Sequence, residues 1–337
     1  MDQAARYSTE AVAAAFAELV SQGQLDLPLP ASGATRQRWR AFEMLGANDL
    51  SLARLAEGHA DALAILAELD GPDPARGSLW GVWAAQPPGQ GLTARRVLGR
   101  WLVNGVKQYC SGARSCTDAL VTATAPDGDR LFVVSTRTLS PVPGTWPAVG
   151  MAASDTLDVE FSDIPAVPLG EPGDYVSRPG FSHGGIGVAA CWHGGARAIG
   201  QTLARAAAAR DIGPHALAHL GAVDIALRAA TSALDDAAAE IDDDPLDRKA
   251  AGRALSLRVR ALVEATATQV MERVGRALGA GPLCHDEAHA RRVADLTVYL
   301  RQHHAERALA ELGGLVAKTG TFMVTESGAG HGRRDRR

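Results

Sequence analysis

Paired cysteines are missing from this chain. Its four, Cys110, Cys116, Cys191 and Cys284, form no CxxC pair. They read as reduced thiols and supply neither a disulfide frame nor a thiolate zinc site. A basic surplus is also missing. Lys and Arg number 34 against 38 Asp and Glu, a net charge of −4. That excludes the electrostatic footprint of a nucleic-acid or anionic-membrane binder. No apolar run approaches the ~20 residues of a membrane span. The N-terminal stretch MDQAARYSTEAVAAAF carries acids and has no basic region followed by an apolar core, so no signal peptide is expected. What remains is the composition of an ordinary globule, 46% hydrophobic and 21% charged in 337 residues. Cytoplasmic localisation is the expectation, with neither membrane nor nucleic acid as partner. The length allows two or three domains.

The chain changes character twice. Residues 1–72 are rich in Ala, Leu and Glu. Val12, Phe16 and Val20 recur every four residues, a helical stripe. Asn48-Asp49 offers a cap before a helix through Leu52, Leu55, His59, Leu63 and Leu66. Residues 73–175 raise Gly, Pro, Val and Trp, and the apolar period falls to two. Strands are predicted at 79–85, 97–103, 106–110, 119–125, 130–136 and 156–164. Asn104-Gly105 and Asp127-Gly128 are hairpin signals between them. Residues 176–320 return to helix, with segments predicted at about 186–211, 214–241, 246–278 and 286–312. Gly213-Pro214, Asp242 to Pro245 and Gly279 to Pro282 separate them. Long helices with short connections imply a four-helix bundle. A Gly- and Arg-rich tail, 321–337, is expected to be disordered. The fold class is α+β: helical domain, antiparallel β domain, helical bundle.

Several stretches resemble landmarks of the acyl-CoA dehydrogenase superfamily of flavoproteins. Trp101 to Lys107, then Tyr109-Cys110-Ser111-Gly112, resembles the family's W-x-L-x-G-x-K hairpin and its flavin-touching strand. Gly150-Met151-Ala152-Ala153-Ser154-Asp155-Thr156 resembles Gly-Met-Arg-x-Ser-x-Thr, and Ser162-Asp163-Ile164-Pro165 resembles the strand end that follows it. Arg210 stands where the bundle's Arg is usual, with His219 at the usual Gln. Leu278-Gly279-Ala280-Gly281 resembles the Leu-Gly-Gly loop. The resemblance implies FAD as cofactor, with Trp83, Ala85, Tyr109, Ser111, Gly112, Arg210, Leu278, Gly279 and Gly281 in its site. It also implies a homodimer or homotetramer in which the Arg and the glycine loop serve a neighbouring subunit. The substrate it implies is a small molecule, with a CoA thioester as the candidate. A hydroxyl and backbone N–H groups suit a flavin edge, and a guanidinium suits a pyrophosphate.

The departures are equally specific. Thr-Glu-Pro-x-Ala-Gly-Ser-Asp is here Trp83-Ala84-Ala85-Gln86-Pro87-Pro88-Gly89-Gln90, and the Arg of Gly-Met-Arg is Ala152. Aligning Gly279 with the Leu-Gly-Gly loop puts Asp295 on the family's Asp and His303 on its catalytic glutamate. His303 and His304 are therefore the candidate catalytic residues. The first bundle helix, at Ala189 to Trp192, offers no carboxylate either. Three readings stay open: α,β-dehydrogenation of an acyl thioester, flavin-dependent monooxygenation, and a non-catalytic paralogue. Plainer readings stand beside them. Ser111 could be a strand-end hydroxyl, Arg210 a helix-dipole partner, and His303 and His304 solvated helix-start residues. Glu57, His59 and Asp61 read as a solvated helix face. His215/His219 and His285/His289 stand four apart but lack a third ligand, so no metal is expected.

Overall fold

The computed structural model describes residues 7–85, 87 and 91–319; the predicted tail 321–337 lies outside them. Three helices come first: α1 (Thr9–Ser21), α2 (Thr35–Asn48) and α3 (Leu50–Glu68). Ser8 caps α1, its hydroxyl accepting from Ala11 N–H at 3.2 Å. Asp49, extended at φ −152°, separates α2 from α3 and caps α3 through Leu52 N–H at 2.8 Å. The cap expected at Asn48-Asp49 is thus supplied by its second residue. α2 has no cap of its own. Asp242, from far along the chain, accepts from Gly33 N–H, Thr35 N–H and the Thr35 hydroxyl at 3.1, 3.1 and 2.6 Å.

The middle of the chain is a seven-stranded sheet: β1 (Trp80–Trp83), β2 (Leu92–Val97), β3 (Arg100–Cys110), β4 (Asp118–Ala125), β5 (Gly128–Ser135), β6 (Ser140–Val142) and β7 (Leu157–Leu169). Its strands run β1-β4-β2-β3-β7-β5, and β5 also pairs with β4. The last pairing closes a ring. Most neighbours are antiparallel, but β1 and β2 both meet β4 in parallel. Val103, Val121, Phe132 and Val159 alternate inward and fill it.

The hairpin expected at Asn104-Gly105 lies six residues earlier. Val97 pairs with Arg100, so Leu98-Gly99 makes the turn, at φ 48° and 83°. The predicted strand 97–103 crosses that turn, and its part from Arg100 onward is continuous with the predicted 106–110 as one strand, β3, with a register shift at Gly105. There φ is +123°, and a Cβ would sit 2.7 Å from the Gly91 carbonyl oxygen. Asn-Gly marks a bulge here because the neighbouring backbone comes too close for a side chain.

Helices return with α4 (Asp174–Ser177), α5 (Pro179–Ala209), α6 (Gly213–Asp243), α7 (Gly252–Leu278), α8 (Gly281–His285), α9 (Glu287–Tyr299) and α10 (Ala305–Thr319). α5 is the central helix, packed against α2, α3, α6, α7 and α9. Its crossing with α2 is glycine-tight. A Cβ on Gly46 would stand 2.2 Å from the Cys191 carbonyl oxygen, and one on Gly194 2.0 Å from that of Glu43. Trp39 and Phe42 of α2 are thereby fully covered, worth roughly 1.5–3 kcal/mol each. Among the described helices, α6 alone is long and apolar enough to cross a bilayer by length and composition. The segment predicted as one helix over 286–312 is broken. A 3₁₀ turn, Leu300–Gln302, parts α9 from α10.

Candidate functional site

A cavity of about 1220 Å³ lies where the sheet, α3 and the bundle meet. That exceeds the ~300–1,000 Å³ of a typical small-molecule pocket. Ala84, Ala85, Tyr109 and Ser111 line it from the sheet, and Tyr299, His303 and His304 from the break between α9 and α10. The sequence-predicted His303 and Ser111 therefore face one space.

Ser111 directly follows β3, whose ladder is irregular between Lys107 and Cys110. Tyr109 takes φ +60° there and stays half exposed, while Gly112 follows at φ +68°. Left-handed backbone at a tyrosine is uncommon and belongs with constrained sites. Ser111 Oγ accepts from Arg54 Nε at 3.2 Å and from Thr156 Oγ1 at 3.0 Å. A hydroxyl has two acceptor lobes and one proton. With both lobes taken, the proton is left to donate into the cavity. Trp83 Nε1 donates to the Ser111 carbonyl at 3.0 Å and fixes the strand end from behind. Ala84 and Ala85, which stand where the resemblance puts Glu and Pro, give the wall small side chains.

The second landmark reaches the same cavity. The Gly150-Met151 turn presses on α9 so closely that a Cβ on Gly150 would meet the Ala294 carbonyl oxygen at 2.1 Å. Asp295 accepts from Met151 N–H and lies 3.6 Å from Arg291. Burial lifts its carboxyl to about 6, against the pull of that N–H and of Arg291. Beyond Tyr299 the chain turns, and His303 is brought in at 7% exposure. Both ring nitrogens of His303 are buried without a partner. Burial and the Arg260 guanidinium push His303 below its ordinary value, so it stands neutral near pH 7. Arg260 donates to the Gly185 and Gln302 carbonyls and lies 4.8 Å over the Trp192 ring.

The helix face read as solvated is the opposite. Glu57 and His59 are each only 3% exposed. Arg54, Glu57 and Asp61 line the cavity from α3. Arg54 Nη1 donates to Glu57 Oε2 at 2.7 Å. Burial pushes Glu57 up to about 7, with Asp61 adding to the rise and Arg54 opposing it. Burial also raises Asp61, against Arg178, Arg38 and Arg54. His59 faces the other way. Its Nδ1 accepts from Trp80 N–H at 3.2 Å, and burial drops it to about 4. The signal was present in the sequence: Ala53, Ala56, Ala60, Ala62 and Ala64 leave α3 with only a narrow stripe of charge on an otherwise apolar surface. A helix whose surface is mostly apolar is buried on most sides, and a narrow charged stripe on it then faces an interior space.

The remaining predicted residues lie off this cavity. Arg210 is the exposed C-cap of α5. Leu278 ends α7, Gly279 stops it at φ +65°, and Gly281 opens α8. Gln86 and Pro88 to Gln90 fall outside the described residues. The histidine pairs diverge, with His289 buried against the Thr202 hydroxyl at 3.2 Å and His285 exposed.

No family model and no curated protein matches this sequence. Solved structures do. KijD3, in complex with FMN and a dTDP-linked amino-keto sugar, superposes at TM-score 0.76 with 19% identity, covering 90% of this chain and 86% of that one. Dibenzothiophene monooxygenase TdsC from Paenibacillus sp. A11-2 gives 0.71 and 19%, covering 93% and 96%. Butyryl-CoA dehydrogenase from Megasphaera elsdenii gives 0.77 and 17%, covering 90% and 89%. The chain has the acyl-CoA dehydrogenase fold.

Proposed function

We propose that this chain is a flavin-dependent oxidoreductase that binds FAD in the described cavity and acts on a small molecule. One observation carries the reading. The Ser111 hydroxyl, its acceptor lobes occupied, has a proton to give into the same cavity that His303 enters with unpartnered nitrogens. Buried polar atoms without partners fit a polar ring system arriving between them. Ser111 and the adjoining backbone would hold the flavin's polar edge, with Tyr109 and Ala85 along it. The flavin would supply two-electron redox chemistry. The chain's own residues would bind, orient and exclude water.

Arg210 and the Leu278–Gly281 turn are not among the residues that line this cavity. We assign them to the FAD of a second copy in a homodimer or homotetramer, in a cytoplasmic enzyme. Of the two chemistries, monooxygenation fits the break between α9 and α10 better. It holds a neutral imidazole where dehydrogenation calls for a carboxylate. Dehydrogenation keeps one point in its favour: Glu57, a cavity carboxyl lifted to about 7.

The test is titration with FAD by calorimetry, with sizing of the product. Binding by an oligomer is expected. Ser111→Ala and Arg210→Ala should each weaken it about tenfold, the scale of one charge-assisted hydrogen bond. A folded oligomer that ignores FAD defeats the reading. Mixing the loaded protein anaerobically with butyryl-CoA then separates the chemistries. Bleaching that Glu57→Gln abolishes signals dehydrogenation. No bleaching, with air reoxidation of the reduced protein altered by His303→Ala, signals monooxygenation.

A further inference from the structure

The cavity continues past Ser111 along α3. Seven residues at 1.5 Å each separate Arg54 from Asp61, about 10 Å of wall. At the Asp61 end, α3 faces the start of α5. A Cβ on Gly184 would fall 2.7 Å from Asp61 Oδ1, so this carboxylate rests directly against the α5 backbone. That oxygen is buried and has no hydrogen-bond partner.

The cations around it are engaged elsewhere. Arg54 is held by Glu57 and Ser111. Arg38 of α2 donates to the Pro28 carbonyl at 3.2 Å and lies over the Phe42 ring. Arg178, between α4 and α5, donates through Nη1 to Glu68 at 2.6 Å. Its Nε is buried with nothing to donate to. Tyr175 lines the same end. One wall thus offers a carboxylate oxygen, Asp61 Oδ1, without a donor, and the wall beside it one N–H of a guanidinium, Arg178 Nε–H, without an acceptor. Leaving either group desolvated and unmatched is costly. An aliphatic tail would leave both in that state, and an ammonium would answer only the acceptor. A hydroxyl answers both, because it donates one hydrogen bond and accepts two.

We propose that the α3 end of the cavity receives a hydroxyl-bearing head of the substrate, donating to Asp61 and accepting from Arg178, and that an aliphatic acyl tail is not the group bound there. This rests on the cavity being the substrate side of the proposed flavin site.

Three probes built on one phenyl ring test it: benzyl alcohol, benzylamine and toluene. Their affinities are measured by calorimetry on the FAD-titrated protein, with FAD binding scored separately, so a failed flavin reading shows itself independently of the probes. Benzyl alcohol is expected to bind about tenfold more tightly than toluene. Asp61→Leu should erase that ratio without weakening toluene. Asp61→Asn keeps an acceptor oxygen in place and should retain most of the ratio, which guards against a leucine variant that folds poorly. Equal binding of alcohol and toluene, no binding of any probe, a ratio unmoved by Asp61→Leu, or benzylamine as the tightest ligand overturns the proposal.

Discussion

Single residues in this protein carry charge in places water does not reach. Lys107 is completely buried, donating through Nζ to the Thr122 carbonyl and hydroxyl at 2.9 and 2.8 Å, and burial lowers it to about 8. Glu57 goes the other way, up to about 7 from an ordinary 4.5. A carboxyl raised by folding holds its proton more tightly in the native state. Stability is then greatest at acid pH and falls as pH climbs from about 4.5 through 7, a loss of roughly 3 kcal/mol from this one group. Asp295, lifted to about 6, adds to the same fall at lower pH. Lys107 reverses the sign, since its lowered value makes stability rise between about 8 and 10.5. Glu57→Gln should therefore flatten the decline in Tm between pH 5 and 7.5, whatever it does to absolute stability by leaving Arg54 without its anion. Melts at constant salt check this, and an unchanged slope refutes it. Ser111 and His303 were legible because each sits inside a longer recognisable stretch. Arg54 and Asp61 were not, because charges spaced three and four apart on a helix ordinarily mark the wet side. Only the alanines around them say otherwise.

At the scale of elements, punctuation was easier to find than to interpret. Gly213-Pro214 opens α6 and Gly279 stops α7 where breaks were expected. Asn104-Gly105 has the composition of a turn and the position of a bulge, because the Gly91 carbonyl passes too near for any side chain. No local pattern reveals a neighbour that approaches from another strand. The same holds for Gly46 and Gly194, which look like weak points in α2 and α5 and are their closest contact. Alanine at either should cost about 1–3 kcal/mol or more through overpacking. Alanine at Gly221, in α6 with nothing within 4 Å of its Cβ, should instead gain ~0.5–1 kcal/mol from helix propensity. Denaturant midpoints of the three variants decide it. Equal behaviour would mean the α2–α5 crossing is looser than described.

For the whole molecule, the helix–sheet–helix order was plain from composition, while the closure of the sheet and the centrality of α5 were not. The N-terminal helices have no core of their own to retire into. Trp39 and Phe42 lie against α5, and α2 is capped by Asp242 of α6. A fragment of residues 1–72 should accordingly show no cooperative thermal transition by circular dichroism. A sharp one would establish a self-standing unit. The tight α2–α5 crossing also sets a clock for synthesis. Gly194 is made 148 residues after Gly46, and at ~5–20 residues per second the ribosome needs about 7–30 s to supply it. Through that interval the nascent chain carries an uncovered Trp-Phe surface. Its yield in cells should thus depend on translation speed and on holding chaperones far more than its finished stability would suggest.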